Sequence, residues 1–172
     1  ELKLPSANYW CFEGMKSGES HEDYLRSLHS NFFQKGRCIG FIGFPSAKDQ
    51  SYNERFPGKS TCMLLTEVHC DMFKDWSETE IKKRPHDYEE LKSDIAKHLM
   101  KTVLFKHFPQ LRTKIDHMSV GTPLTTAHYL KKYKGSSYGI DHNCARFSNG
   151  HRYLRPETPV QNLWLTGQDL IQ

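Results

Sequence analysis

The stretch "NLWLTGQD", Asn162 to Asp169, decides how the rest of this chain is read. Leu163, Trp164 and Leu165 run without polar alternation into Thr166, Gly167 and then a lone acid, Asp169. An unalternating apolar run reads as a strand buried on both faces, the habit of a parallel strand sandwiched between helices. In open α/β sheets, ligands sit beyond the carboxyl ends of such strands. Gly167 has no Cβ, so a ligand can approach its backbone. The Asp169 carboxylate can accept hydrogen bonds from sugar-like hydroxyls, and free N–H groups of a helix starting beyond it would suit a phosphate.

Working outward, the chain alternates strand and helix signals, so the expected fold class is mixed α/β. "NYWCFEG" (Asn8–Gly14) is rich in aromatics and ends at Gly, as a strand does. "HEDYLRSLHSNFF" (His21–Phe33) puts Tyr24, Leu25, Leu28 and Phe32 on one helical face. "RCIGFIGFPS" is a second strand, in which Gly40 and Gly43 permit close backbone approach. "STCMLLTEVHC" (Ser60–Cys70) is a third, and the polar connection before it predicts an antiparallel pair with a loose tip. "SETE" (Ser77–Glu80) matches a capping box. The main helix is "HDYEELKSDIAKHLMKTVLFKHF", where Tyr88, Leu91, Ile95, Leu99 and Val103 keep helical spacing until Pro109. "KIDHMSVGTP" reads as a fourth strand, and "PLTTAHYLKKY" as a short helix with Pro123 in its first turn. A loop-rich excursion follows, and then the final strand. Residues 1–120 are expected to form one portion and 121–172 a return segment.

Composition excludes several classes. With 172 residues the chain can bury a core, and a 12% aromatic share argues against disorder. The net charge of +4 is scattered, and its densest run, Lys82-Lys83-Arg84, is a solvated face rather than a nucleic-acid surface. Five cysteines without a C-x-x-C pair fit reduced structural thiols. Ten histidines fall in no H-E-x-x-H or similar spacing, so no metal site is expected. No apolar run approaches the length of a transmembrane helix. "ELKLPSANYW" has no initiator Met and no signal-like segment, so the chain reads as a piece truncated at both ends.

A second constellation joins "GTPLTTAHYL" to "KGSSYG". Gly135 and Gly139 bracket Ser136, Ser137 and Tyr138, bringing backbone close to a flat ligand with one aromatic beside it. Taken alone, this spacing also describes an ordinary surface turn. The ordered series "NYW", "FPSAKD", "PGKST", "VGTPLTTAHYL", "GSSYGIDH" and "NLWLTGQD" resembles the C-terminal part of the carotenoid and retinoid oxidoreductases, the flavoprotein family of the phytoene desaturases and carotenoid isomerases. "FPSAKD" and "TGQD" resemble its retinoid-saturating branch, in which Gln168 separates the Gly from the acid.

The resemblance implies an FAD-dependent enzyme that saturates a conjugated double bond in a retinoid or carotenoid-like apolar substrate, with NAD or NADP as a possible electron donor. It implies that Asn8 to about Asp116 belong to a substrate domain of antiparallel strands and a long helix, and that the last strand returns to a Rossmann-type FAD domain. Cofactor contacts would then fall on Thr166, Gly167 and Asp169 and on Gly135, Tyr138 and Gly139. No G-x-G-x-x-G occurs in the chain, so that fingerprint would lie upstream. Tyr138 and His142 are the loop's candidates for a proton donor, and no catalytic residue is assigned. Peripheral attachment to the endoplasmic reticulum membrane is implied in the same way. A carotenoid isomerase or desaturase on the same scaffold, or a non-catalytic module that binds apolar ligands, are the competing readings.

Overall fold

The computed structural model describes residues 2–34, 36–139, 144, 146, 148, 154–167, 169 and 170. The chain divides into two units, Glu1–Val120 and Gly121–Gln172. The first carries β1 (Tyr9–Glu13), α1 (His21–Ser30), β2 (Cys38–Gly43), α2 (Tyr52–Arg55), β3 (Met63–Leu65), α3 (His86–Leu99) and α4 (Phe105–His107), with a π turn, Met100–Leu104, joining the last two. The second carries α5 (Pro123–Leu130). This is a mixed α/β chain with a small antiparallel sheet.

Among the described residues the strands form one antiparallel sheet in the order β1-β2-β3, with Cys11 opposite Gly40 and Phe41 opposite Leu65. One face, carrying Cys11, Cys38 and Ile42, packs on Leu99, Val103, Leu104, Phe108 and Leu111 to make the main core. The helical stripe of the long helix thus serves packing against the sheet. Gly40 is where the two layers come closest: a Cβ there would lie 2.8 Å from Val103 Cγ1.

Part of the opposite face is covered by α1, whose Tyr24 and Leu28 cluster with Ile39. Ser20 caps this helix, accepting from the Asp23 amide at 3.1 Å. The buried Arg37 ties it down: the guanidinium donates to the Gly14 carbonyl at 2.8 Å, pairs with Glu19 at 2.6 Å and lies 4.7 Å from the Tyr24 ring centre. Gly14 turns there at φ +72°, and a Cβ would fall 2.5 Å from the Gly36 carbonyl oxygen, so the turn needs glycine.

The sequence expectations fail at three places. β3 is only Met63–Leu65, because the Thr66 hydroxyl takes the next acceptor, the Ile39 carbonyl, at 2.7 Å. No helix starts at Ser77: its hydroxyl bonds back to the Lys74 carbonyl at 2.8 Å and that of Thr79 to the Trp76 carbonyl at 2.6 Å, closing the preceding 3₁₀ turn, Cys70–Trp76. Residues 114–122 form no strand; a strand is made by its partner's ladder bonds, and none of the described residues supplies them. Leu163–Leu165 finds no parallel neighbour among the described residues and is exposed, as a final strand read as pairing with a Rossmann-type domain outside this chain would be. Trp164 makes one antiparallel bridge, with Glu157, and stays 66% exposed.

Candidate functional site

The part of the sheet that α1 leaves uncovered is apolar. Residues paired across the strands share a face, so Trp10, Phe41 and Leu65 lie in one row, with Met63 beside it opposite Gly43. Trp10 and Phe41 meet edge to face at 5.1 Å. Trp10 is 64% exposed, Leu65 51% and Met63 41%. Three neighbouring strands thus present a hydrophobic surface to solvent. Patches of this kind mark contact with a ligand, a protein or a membrane. A signal was present in "YWCFE", where apolar residues occupy both alternating sets.

At the far end of β1 lies a charged cluster that the sequence did not disclose. The buried Glu13 carboxylate accepts from Lys106 and meets His107 Nε2 at 2.6 Å. Burial pushes this carboxyl up, but its bonds to Lys106 and His107 outweigh that and hold it below the usual value of 4.5. Cys11 stands nearby, its thiol pushed up by burial and then by the Glu13 charge. The partners come from α4, more than ninety positions along the chain, so no local pattern links them.

In the second unit, Thr122 and Thr125 form a reciprocal capping box ahead of Pro123, the Thr122 amide donating to the Thr125 hydroxyl at 3.1 Å. Gly135 turns at φ +74° and lies so tightly on Pro123 that a Cβ would overlap its carbonyl. Tyr138 is exposed. Gly139 and Asp169, thirty positions apart, are brought together: a Cβ on Gly139 would overlap the Asp169 carboxylate. The buried Arg146 donates to the Asp169 backbone carbonyl at 3.2 Å, and its guanidinium lies 3.8 Å from the carboxylate. Arg146 was missed because it sits in a loop without periodicity. Gly167 is left-handed at φ +128°, with nothing within 4 Å of where a Cβ would stand, and Thr166 beside it is exposed. His142 and Gln168 lie outside the described residues. Among the described residues, no helix is long and apolar enough to cross a membrane.

No family model matches the chain, and no solved structure matches it. Curated proteins do. One from Rattus norvegicus named all-trans-retinol 13,14-reductase is 38% identical over 172 residues, and one of the same name from Danio rerio is 35% identical over 172 residues. A Danio rerio protein named inactive all-trans-retinol 13,14-reductase is 32% identical over 175 residues. Each match covers 99% of this chain, and the chain spans 28% of the length of these relatives. Over nearly its whole length, the chain is therefore similar to a segment of the all-trans-retinol 13,14-reductases, the retinol saturases to whose branch "FPSAKD" and "TGQD" pointed.

Proposed function

We propose that this chain is part of an FAD-dependent oxidoreductase that saturates the 13,14 double bond of all-trans-retinol. The observation that carries the reading is the open apolar face of Trp10, Phe41, Met63 and Leu65, taken with the similarity to proteins of that name. A polyene is long, flat and apolar. An apolar face carrying aromatic rings would remove it from water, and edge-to-face rings such as Trp10 and Phe41 hold their orientation.

Thr166, Gly167 and Asp169 would hold the cofactor, with Gly135, Tyr138 and Gly139 in the loop of the same unit. The residues fit a ligand in that the space over Gly167 is open and its backbone has a conformation that glycine adopts readily. The Asp169 carboxylate is 30% exposed and is braced by Arg146, so it can accept from ribityl hydroxyls without reorienting. When bound, the reduced flavin would supply the hydride for the double bond, with NADH or NADPH as the source of its electrons. The chain's own part is to orient the polyene, exclude water and fix the cofactor's sugar chain. Tyr138 and His142, both in the glycine-rich loop by sequence, are the candidates for a proton donor, and no catalytic residue is assigned. Peripheral attachment to the endoplasmic reticulum membrane belongs to the same proposal.

A second reading, non-catalytic retinoid binding, is favoured by one observation: a relative named inactive is similar along the same length. The test is the full-length protein with all-trans-retinol and a reduced nicotinamide, followed by mass analysis for a product heavier by two hydrogens. Trp10→Ala should raise KM several-fold while the flavin absorbance stays unchanged. Retinol binding without product selects the second reading, and absence of retinol binding defeats both.

A further inference from the structure

In the second unit, each oxygen of the Asp169 carboxylate has a neighbour from an earlier part of the chain. Arg146 Nη1 lies 3.8 Å from Oδ1, and Arg146 Nη2 donates to the Asp169 backbone carbonyl at 3.2 Å. Gly139 stands at the other oxygen, where a Cβ would overlap Oδ2 and lie 3.2 Å from Cγ. The backbone is tied as well, because the Leu170 amide donates to the Gly167 carbonyl at 3.2 Å. The Asp169 side chain nevertheless keeps 30% of its surface open, whereas that of Arg146 is 4% exposed. The carboxylate is thus held at both oxygens and still accessible.

Gly139 is not left-handed, so its backbone would accept alanine. What excludes a methyl group is space, and the three atoms nearest to one all belong to the Asp169 carboxyl group. A side chain at 139 would therefore push the carboxylate aside rather than strain the loop. Arg146 acts from the other direction: a planar fork can hold a carboxylate and a carbonyl at once, which a single ammonium cannot do as well. We infer that Arg146 and Gly139 are positioning residues, which fix the Asp169 carboxylate in the orientation that accepts the hydroxyls of the flavin's ribityl chain. The inference rests on the proposal that Asp169 contacts FAD. It gives Gly139 a part that runs through Asp169 instead of through touching the cofactor. The gain is preorganisation: a carboxylate already fixed gives up little rotamer freedom when the hydroxyls arrive.

The probe is FAD alone, titrated into the deflavinated full-length protein and followed by flavin fluorescence. Gly139→Ala and Arg146→Gln should each raise the dissociation constant about fivefold to fiftyfold, short of the full loss of the carboxylate's bonds. Arg146→Lys, which keeps the charge but not the fork, should fall between the parent and Arg146→Gln. In protein that already carries Asp169→Ala, Gly139→Ala and Arg146→Gln should each change the constant by less than about twofold, because no carboxylate remains to be placed. That dependence on Asp169 separates positioning from general damage. Thermal unfolding should find Gly139→Ala folded, with a Tm close to the parent's; if Arg146→Gln does not fold, Arg146→Lys and the Gly139 variants decide. The inference is overturned, with the cofactor reading intact, if Asp169→Ala weakens FAD binding while Gly139→Ala binds as tightly as the parent or costs the same in both backgrounds. If Asp169→Ala binds FAD as the parent does, the reading of Asp169 as a cofactor contact falls, and this inference falls with it.

Discussion

Replacing Gly40 by Ala tests the closest contact in the fold. Val103 is fully buried, and a Cβ on Gly40 would stand 2.8 Å from its Cγ1 and 3.0 Å from its Cγ2. Carbon atoms settle at about 3.5–4.0 Å, so the methyl group displaces either the helix or the strand. β2 is the middle strand, paired on both sides, and cannot retreat without loosening both ladders. Overpacking of this kind costs about 1–3 kcal/mol, and about 0.4–1 kcal/mol returns through a stiffer unfolded chain. The expected net loss is about 0–2.6 kcal/mol. Val103→Ala removes two methyl groups, about 1.6 kcal/mol of transfer free energy, and with the residual cavity should cost about 2–3 kcal/mol. In the double variant the new methyl group moves into the vacated space. The combined loss should fall short of the sum by about 1–2 kcal/mol. Equilibrium urea unfolding of the parent, both single variants and the double variant measures this. If the two losses add within about 0.5 kcal/mol, Gly40 does not set the distance between sheet and helix.

Glu13→Gln should destabilise the fold by about 1.5–3 kcal/mol through weaker bonds to Lys106 and His107. The Glu13 carboxyl titrates below its ordinary 4.5 in the folded chain, so its contribution is complete above that pH and fades as pH falls through the folded value; a variant with the same acid limb as the parent would refute this. At alkaline pH the order reverses: burial pushes Tyr24 from 10.0 up to about 12 and Cys38 from 9.0 up to about 11. The stability they confer is complete below about pH 9–10 and is lost as pH rises through the folded values, so Tyr24→Phe should lose less stability than the parent between pH 9.5 and 11.5, and parallel curves would count against the assignment. On the proposed function, Asp169→Ala should weaken FAD binding about tenfold to a hundredfold, with Asp169→Asn between, because lost bonds to a charged acceptor cost about 1.5–3 kcal/mol. Normal FAD binding with collapsed turnover would make Asp169 a catalytic group instead.

The sequence alone fixed what depends on near neighbours along the chain. The aromatic strand at Tyr9–Glu13, the helix from His21 and the long helix from His86 were all legible, because composition and periodicity are local. So was the resemblance to the retinol-saturating enzymes, carried by short motifs in order. Tertiary structure decided what depends on partners. Whether Lys114–Thr122 and Leu163–Leu165 become strands rests on a neighbour to pair with, which an apolar pattern cannot supply. Which face of the sheet stays open rests on how far α1 reaches: it covers Ile39 and leaves Trp10 and Leu65 exposed. The meetings of Glu13 with Lys106, Asp169 with Arg146 and His29 with His69 join residues from 23 to 93 positions apart along the chain. Side chains so far apart in sequence meet only because the backbone between them has been folded and packed.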